Sequence, residues 1–432
     1  MSSAPETAAA PHARDAARHS LVFFVFTLLL VEFMDELVFG VREAAWPLIR
    51  DDLRMTYTQV GVVLSVPGVV GNLLEPAFGI LGDVWHRRAL VLGGGVAFAL
   101  AAALVGASQS FTALLLATII FNPATGVFVG LSQATLMDAA PGRREQNMVR
   151  WTLFGTLGNA LGPAALSASL ALGRGWRSPF YAAGALALLL VFAARRFPFP
   201  APAAGEGRRK AAQFAEAVRE AMRALRRREV LRWLLLLQAG DFTWDVLRGF
   251  LALYFVDVTG TSASRAALVV VVWTCASLPG ELLLLWMLRR TGGLSYLRVS
   301  TTFVLVLFPA FLLAQGFASK VALLLALGVA NAGGYAILKA QLYAELPGRS
   351  GTALTLGNVS GMLGTLFPLA LGAFAERFGL GAMMWLLAAG PAFVLAGLLT
   401  GSRKSATMNP EPNLEVGKLK AELKSGVRDD EG

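Results

Sequence analysis

The sequence is poor in the residues from which soluble enzymes build their sites. Its 432 residues include one cysteine and three histidines, and only 15% of them are charged. One cysteine, Cys275, excludes an intramolecular disulfide, and with His12, His19 and His86 scattered, no metal-ligand cluster can be drawn. There is no HExxH pair and no Gly-rich loop closing in Gly-Lys-Ser/Thr, so metalloprotease and nucleotide-driven pump chemistry have no residues to stand on. No cofactor or metal is expected. A soluble domain carries about 25% charged residues, which this chain does not supply, while 56% of it is hydrophobic. What is abundant is apolar sequence in long runs.

A bilayer crossing needs roughly 20 apolar residues, and twelve such runs are predicted. They span residues 20–41, 58–82, 89–108, 111–137, 149–171, 177–195, 231–256, 263–288, 295–316, 319–344, 351–375 and 380–400. The first is not a cleavable signal peptide, because it is long and carries Glu32, Asp35 and Glu36. With the N-terminus placed inside, 28 of the 38 basic residues fall on the cytoplasmic side and eight outside. The net charge of +10 is therefore a topology signal and calls for no nucleic-acid partner. The expected organisation is a cytoplasmic tail (1–19), a six-helix half (20–195), a linker (196–229), a second six-helix half (230–400) and a disordered cytoplasmic tail (401–432). In the linker Phe214, Val218, Met222 and Leu225 recur at helical spacing among arginines, predicting an amphipathic helix on the cytoplasmic surface.

The halves are related in sequence. Glu32, Glu36 and Gly40 match Asp241, Asp245 and Gly249 at an offset of 209. Glu75 matches Glu281 at 206, as do Pro141-Gly142-Arg143 with Pro347-Gly348-Arg349, and Gly155-Thr156-Leu157-Gly158 with Gly361-Met362-Leu363-Gly364. Four ordered matches at nearly constant offset indicate duplication. Carriers built from two such halves hold their solute near the midplane, between them.

Charge at membrane depth costs roughly 2.5–3.5 kcal/mol per residue and avoids lipid. It is found in the first span (Glu32, Asp35, Glu36), the second (Glu75), the seventh (Asp241, Asp245, Arg248), the eighth (Glu281) and the tenth (Lys339). The third, sixth, ninth and twelfth spans have none away from their ends, so they are expected on the outside of the bundle. Glu32 with Glu36, and Asp241 with Asp245, are four apart and project from one face of each helix. Arg248 is placed to pair with Asp245. Such carboxylates, crowded and poorly hydrated, are suited to exchanging protons or meeting a cationic or polar solute. Buried ion pairs with Arg248 or Lys339 are the alternative. Amides such as Asn122, Gln133, Asn159 and Asn331 either bind solute or join helices.

The segment Gly79-Ile80-Leu81-Gly82-Asp83-Val84-Trp85-His86-Arg87-Arg88 resembles the signature loop between the second and third helices of the major facilitator superfamily. Pro47-Leu48-Ile49, Asp51-Asp52-Leu53 and Thr58-Gln59-Val60-Gly61 fit the linker that precedes it in that family. Gly158 with Gly162-Pro163 is similar to the core of the family's antiporter motif, with Ala164 and Ala165 in place of two further glycines. The stretch Phe121-Asn122-Pro123-Ala124-Thr125-Gly126 lacks the arginine common in proton-coupled drug exporters. The texture of the fourth and fifth spans is similar to fosmidomycin-resistance-like exporters. The resemblance covers residues 20–400. It implies an all-α integral membrane fold of twelve helices in two pseudo-symmetric halves. It further implies a loop in which Asp83, Arg87 and Arg88, with Gly79 and Gly82, latch the halves at the cytoplasmic mouth.

The expected function is secondary active transport of a small solute by alternating access. Proton antiport exporting a drug-like, cationic or polar compound is favoured over an uptake symporter; a polytopic membrane enzyme or a non-transporting receptor ranks lower. The expected partners are the solute, protons and the lipid bilayer, for a monomer in a bacterial inner membrane with both termini cytoplasmic.

Overall fold

The computed structural model describes residues 11–84, 87–139, 144–197, 199, 219, 222–288, 290–345, 356, 360–362 and 364–405. Every regular element among them is helical. The first half is built from α1 (Pro11–Leu53), α2 (Tyr57–Val84), α3 (Arg87–Ala107), α4 (Phe111–Thr125), α5 (Leu131–Ala139), α6 (Arg144–Ala171) and α7 (Ser178–Ala194). A π turn, Gly126–Gly130, joins α4 to α5, so the two form one span. The second half holds α8 (Arg228–Leu253) with its π turn Tyr254–Val258, α9 (Ala263–Leu288), α10 (Gly293–Leu313), α11 (Phe317–Asn331) and α12 (Gly334–Ala344). It ends with α13 (Phe367–Phe378), α14 (Leu380–Leu386) and α15 (Ala389–Ser405). With α11 and α12 forming the tenth span, α13 closing the eleventh, and α14 with α15 forming the twelfth, the protein has twelve transmembrane helices in two six-helix halves. Most of the linker and the duplicated Pro-Gly-Arg turns lie outside the described residues.

Among the described residues, six helices carry a stretch long and apolar enough to cross a membrane by composition alone. Those that do not include α1, α6 and α8, which carry the acids or the polar residues facing them. Their hydropathy is low because one face of each meets other protein or a cavity rather than lipid.

The first span extends beyond its expected end. The α1 helix continues through Arg42 and Glu43 to Leu53, and Glu43, Ala44, Ala45, Trp46 and Ile49 are all buried. A charge pair that reads as the start of a loop is thus inside the bundle. Lys320, at the start of the expected tenth span, is also buried, its ammonium donating to the Tyr254 hydroxyl at 2.8 Å and to the carbonyls of Phe311 at 2.9 Å and Leu312 at 3.1 Å. There it satisfies acceptors that the C-terminus of α10 leaves open.

Within the first half α1 packs on α6 at backbone distance. A Cβ added to Gly158 would lie 2.1 Å from the Phe33 carbonyl oxygen, and one on Gly162 2.4 Å from that of Leu37. The glycine series of the fifth span is therefore a seam between rigid helices. Between the halves, α2 meets α13 just as closely: a Cβ on Gly61 would lie 2.4 Å from the Pro368 oxygen, and one on Gly372 2.4 Å from that of Tyr57.

This second seam lies at the bundle end opposite the chain's N-terminus, where further bonds cross between halves. Asp257 accepts from the Arg50 guanidinium and the Tyr57 hydroxyl, each at 2.8 Å. Glu376 accepts from the Thr58 N–H at 3.1 Å, and the Ser65 hydroxyl from the Leu369 N–H at 3.0 Å. The bundle is closed at that end.

Candidate functional site

A cavity of about 890 Å³ lies between the halves. It reaches from the middle of α1 and α8 to Gln133 of α5, Met148 of α6 and Tyr335 of α12, all on the N-terminal side of the bundle, so it opens toward that face. Glu32 and Glu36 line it from α1, and Asp241, Asp245 and Arg248 from α8. Helical spacing sets each acidic pair on one face, and the duplication sets the two faces across one space. Among the described residues, four carboxylates share the lining with one guanidinium.

Their partners are specific. Trp151 is within hydrogen-bond reach of Glu32. Glu36 accepts from the Asn159 amide at 2.9 Å, and the Thr274 hydroxyl donates to the Asn159 oxygen at 3.3 Å, which links α1, α6 and α9. Trp244 and Trp273 stack at 5.4 Å between centroids and both line the cavity. At its roof, Glu43 of α1 stands 4.0 Å from Arg248 of α8 and is almost wholly buried.

Other expected site residues lie elsewhere. Asp35 does not line this cavity: it faces a smaller one inside the first half, with Arg42 and Thr125. Lys339 is turned to the Tyr335 hydroxyl, 2.8 Å away, and is not among the lining residues. Arg87 pairs with Asp138 of α5, and Arg88 donates to the Arg195 carbonyl, so these contacts of the loop arginines stay within the first half. Gly79 and Gly82 lie on α2. The side chains of Glu75, Asp83 and Glu281 are outside the described residues.

The expected outer position of the third and sixth spans matches the lining, to which α3 and α7 contribute nothing. The ninth and twelfth differ, since Ser300, Thr301 and Val304 of α10 and Pro391 and Val394 of α15 reach the cavity. Beside the ninth, the tenth span is broken. Ala332 is extended (ψ 134°) and Gly333 adopts φ +76°, a conformation that favours glycine. The break splits α11 from α12 and uncovers α10. Two α10 hydroxyls supply the freed carbonyls: Tyr296 donates to Ala332 at 3.1 Å, and Ser300 to Ala330.

Sequence reasoning did not single out Arg42, Glu43, Trp151, Trp244 or Trp273. Glu43 follows Glu36 by seven residues, two helical turns along the same face, and that spacing was the available signal. Tryptophan in an apolar run gives no signal of its own, because packing and binding use the same residue.

No curated protein sequence matches the chain. Among solved structures, a bacterial homologue of the human lysosomal transporter Spinster, in an inward-facing and unoccupied conformation, is similar with a TM-score of 0.73 at 16% identity, covering 91% of this chain and 99% of that one. The nucleoside transporter NupG gives 0.71 at 14% identity, over 87% and 98%. At such identities the likeness is one of fold. The family model for the Major Facilitator Superfamily matches residues 28–368. The chain belongs to the Major Facilitator Superfamily and is a transporter of small solutes rather than an enzyme.

Proposed function

We propose that the protein exports a small cationic or amine-bearing solute in exchange for protons. The observation that carries this is the cavity, in which Glu32 and Glu36 face Asp241 and Asp245, with Arg248 among them. Trp151, Trp244 and Trp273 add aromatic faces, which attract cations by about 0.5–2 kcal/mol each. Acids that hold a cation and a carboxylate in the same bundle that takes a proton give exchange in a natural way, because each positive charge disfavours the other.

The positive-inside bias makes the N-terminal face cytoplasmic, so the cavity opens inward and the closed seam faces outward. Alternating access then requires the bonds of Asp257 and Glu376 to open as the cytoplasmic mouth shuts. The loop around Asp83, with Arg87 and Arg88, is the proposed latch of the shut mouth, and Gly158, Gly162 and Pro163 keep α1 and α6 moving as one body.

The test uses tetraphenylphosphonium as a probe cation in proteoliposomes of purified protein. An imposed pH gradient is expected to drive its flux against its own gradient, and Glu32→Gln, Asp35→Asn and Asp241→Asn together to abolish that coupling. Full coupling in the triple variant would overturn the proton assignment. Movement of probe and protons in the same direction would identify a symporter instead.

A further inference from the structure

The smaller cavity inside the first half holds about 120 Å³ and shares no lining residue with the large one. That is room for several water molecules. Asp35 and Arg42 face it from α1, with Asn122 and Thr125 from α4. The Thr125 hydroxyl donates to Asp35 at 3.3 Å. The Arg42 Nε is buried with no hydrogen-bond partner, a polar atom that water in this chamber would satisfy.

The direction of the chamber matters. Arg42 lies two turns from Asp35 toward the outward end of α1, and the other walls are Val105, Thr118 and Phe180, near the outward ends of α3, α4 and α7. The large cavity runs the opposite way, toward the N-terminal face. The two spaces thus extend from the middle of the bundle in opposite directions.

Thr125 is also the residue immediately before the π turn Gly126–Gly130. A π turn holds one residue more than the α-helix around it and is a point where a helix can change register. Beyond it, Gln133 of α5 lines the large cavity. The tenth span is irregular at the matching point, since Ala332 follows Gly126 by 206 residues, the offset of the duplication.

We propose that this chamber is the proton site of the transport cycle: Asp35 takes its proton from the outward side, and Thr125 passes the change to the π turn. The proposal rests on the exchange mechanism above and separates its two ligands, giving the solute to the large cavity and the proton to the chamber. Ionised Asp35 accepts from Thr125 and attracts Arg42. Protonated, it no longer demands that hydroxyl, and Arg42 is released toward Glu43 at the roof of the large cavity.

The charged groups around this pair are Glu32, Glu36 and Glu43 on α1 itself, and Asp245 and Arg248 on α8. From α3, α4 and α7 the chamber receives only uncharged side chains, and from α6 Asn159 binds the adjacent Glu36. Among the described residues of the chamber, the Thr125 hydroxyl and Arg42 are the groups that favour ionised Asp35 over its protonated form.

The experiment needs no solute, so its failure is distinct from a failed transport assay. Amide hydrogen exchange of the full chain in nanodiscs is followed by mass spectrometry over residues 126–139 at pH 6 and pH 8.5, corrected for intrinsic exchange. The wild type is expected to change by about tenfold, the equivalent of one pH unit of coupling. Asp35→Asn should be locked at the acidic pattern at both pH values, and Thr125→Val should lose the response that Thr125→Ser retains. Asp241→Asn, which alters the large cavity alone, should keep it. A response that survives Asp35→Asn, or one that Asp241→Asn removes, overturns the proposal. So does equal loss in Thr125→Val and Thr125→Ser.

Discussion

Side chains in the large cavity divide into those that set charge and those that set shape. The four acids make the space negative, and the stacked pair Trp244 and Trp273 forms a flat wall beside Asp241 and Asp245. Trp244→Ala keeps every charge and removes one aromatic face. At about 1–2 kcal/mol for a desolvated cation–π contact, binding of tetraphenylphosphonium is expected to weaken roughly fivefold to thirtyfold. Isothermal titration at fixed pH measures this, and an unchanged affinity would remove the tryptophan from the site. The acids were legible in the sequence because charge in an apolar run is costly. The tryptophans were not, and Asp35 was grouped with Glu36 because the 100° between adjacent residues on a helix does not say which space each faces until the neighbouring helices are in place.

Elements in this protein join at two kinds of seam. The α1–α6 seam lies within one half: Gly158 and Gly162 bring two backbones together, and the Asn159 amide binds Glu36 across it. Gly158→Val places a branched side chain against the Phe33 carbonyl. Overpacking of this kind costs about 1–3 kcal/mol, so the thermal midpoint in detergent should fall, while Leu157→Val, on an exposed lipid-facing position of the same helix, should leave it unchanged. An equal loss in both variants would mean that the helix tolerates no change at all and that the seam is not special. The glycine motif was visible in the sequence, but its partner was not, because a missing side chain does not say which helix fills the space.

Across the whole molecule, the outward closure between the halves is made of contacts that can be undone. Arg50 and Asp257 are partly exposed, and such pairs contribute about 0–1 kcal/mol. Glu376, one residue beyond the expected eleventh span, is held below the usual carboxylate range by the Thr58 hydroxyl, the Thr56 hydroxyl and the Thr58 N–H. A carboxylate lowered in the folded state contributes fully above its unfolded value of about 4.3 and loses that contribution as pH falls through the lower folded value. The closure should therefore persist between pH 8 and pH 5, and Glu376→Gln should weaken it at every pH in that window. Spin-label distances between the outward ends of α2 and α13 provide the measurement. An opening of the wild type between pH 6 and pH 5 would show that Glu376 does not govern the closure.

Composition and periodicity alone determined that this chain crosses a membrane twelve times, in two related halves, with acids kept at depth. Those are consequences of hydration energy, which each residue carries wherever it lies in sequence. Only the tertiary structure decided which acids share a cavity, that Arg42 and Glu43 belong to the interior, and that the tenth span breaks at Gly333. These depend on which helix faces which, and the facing is fixed by backbone contacts between glycines and carbonyls far apart in the chain.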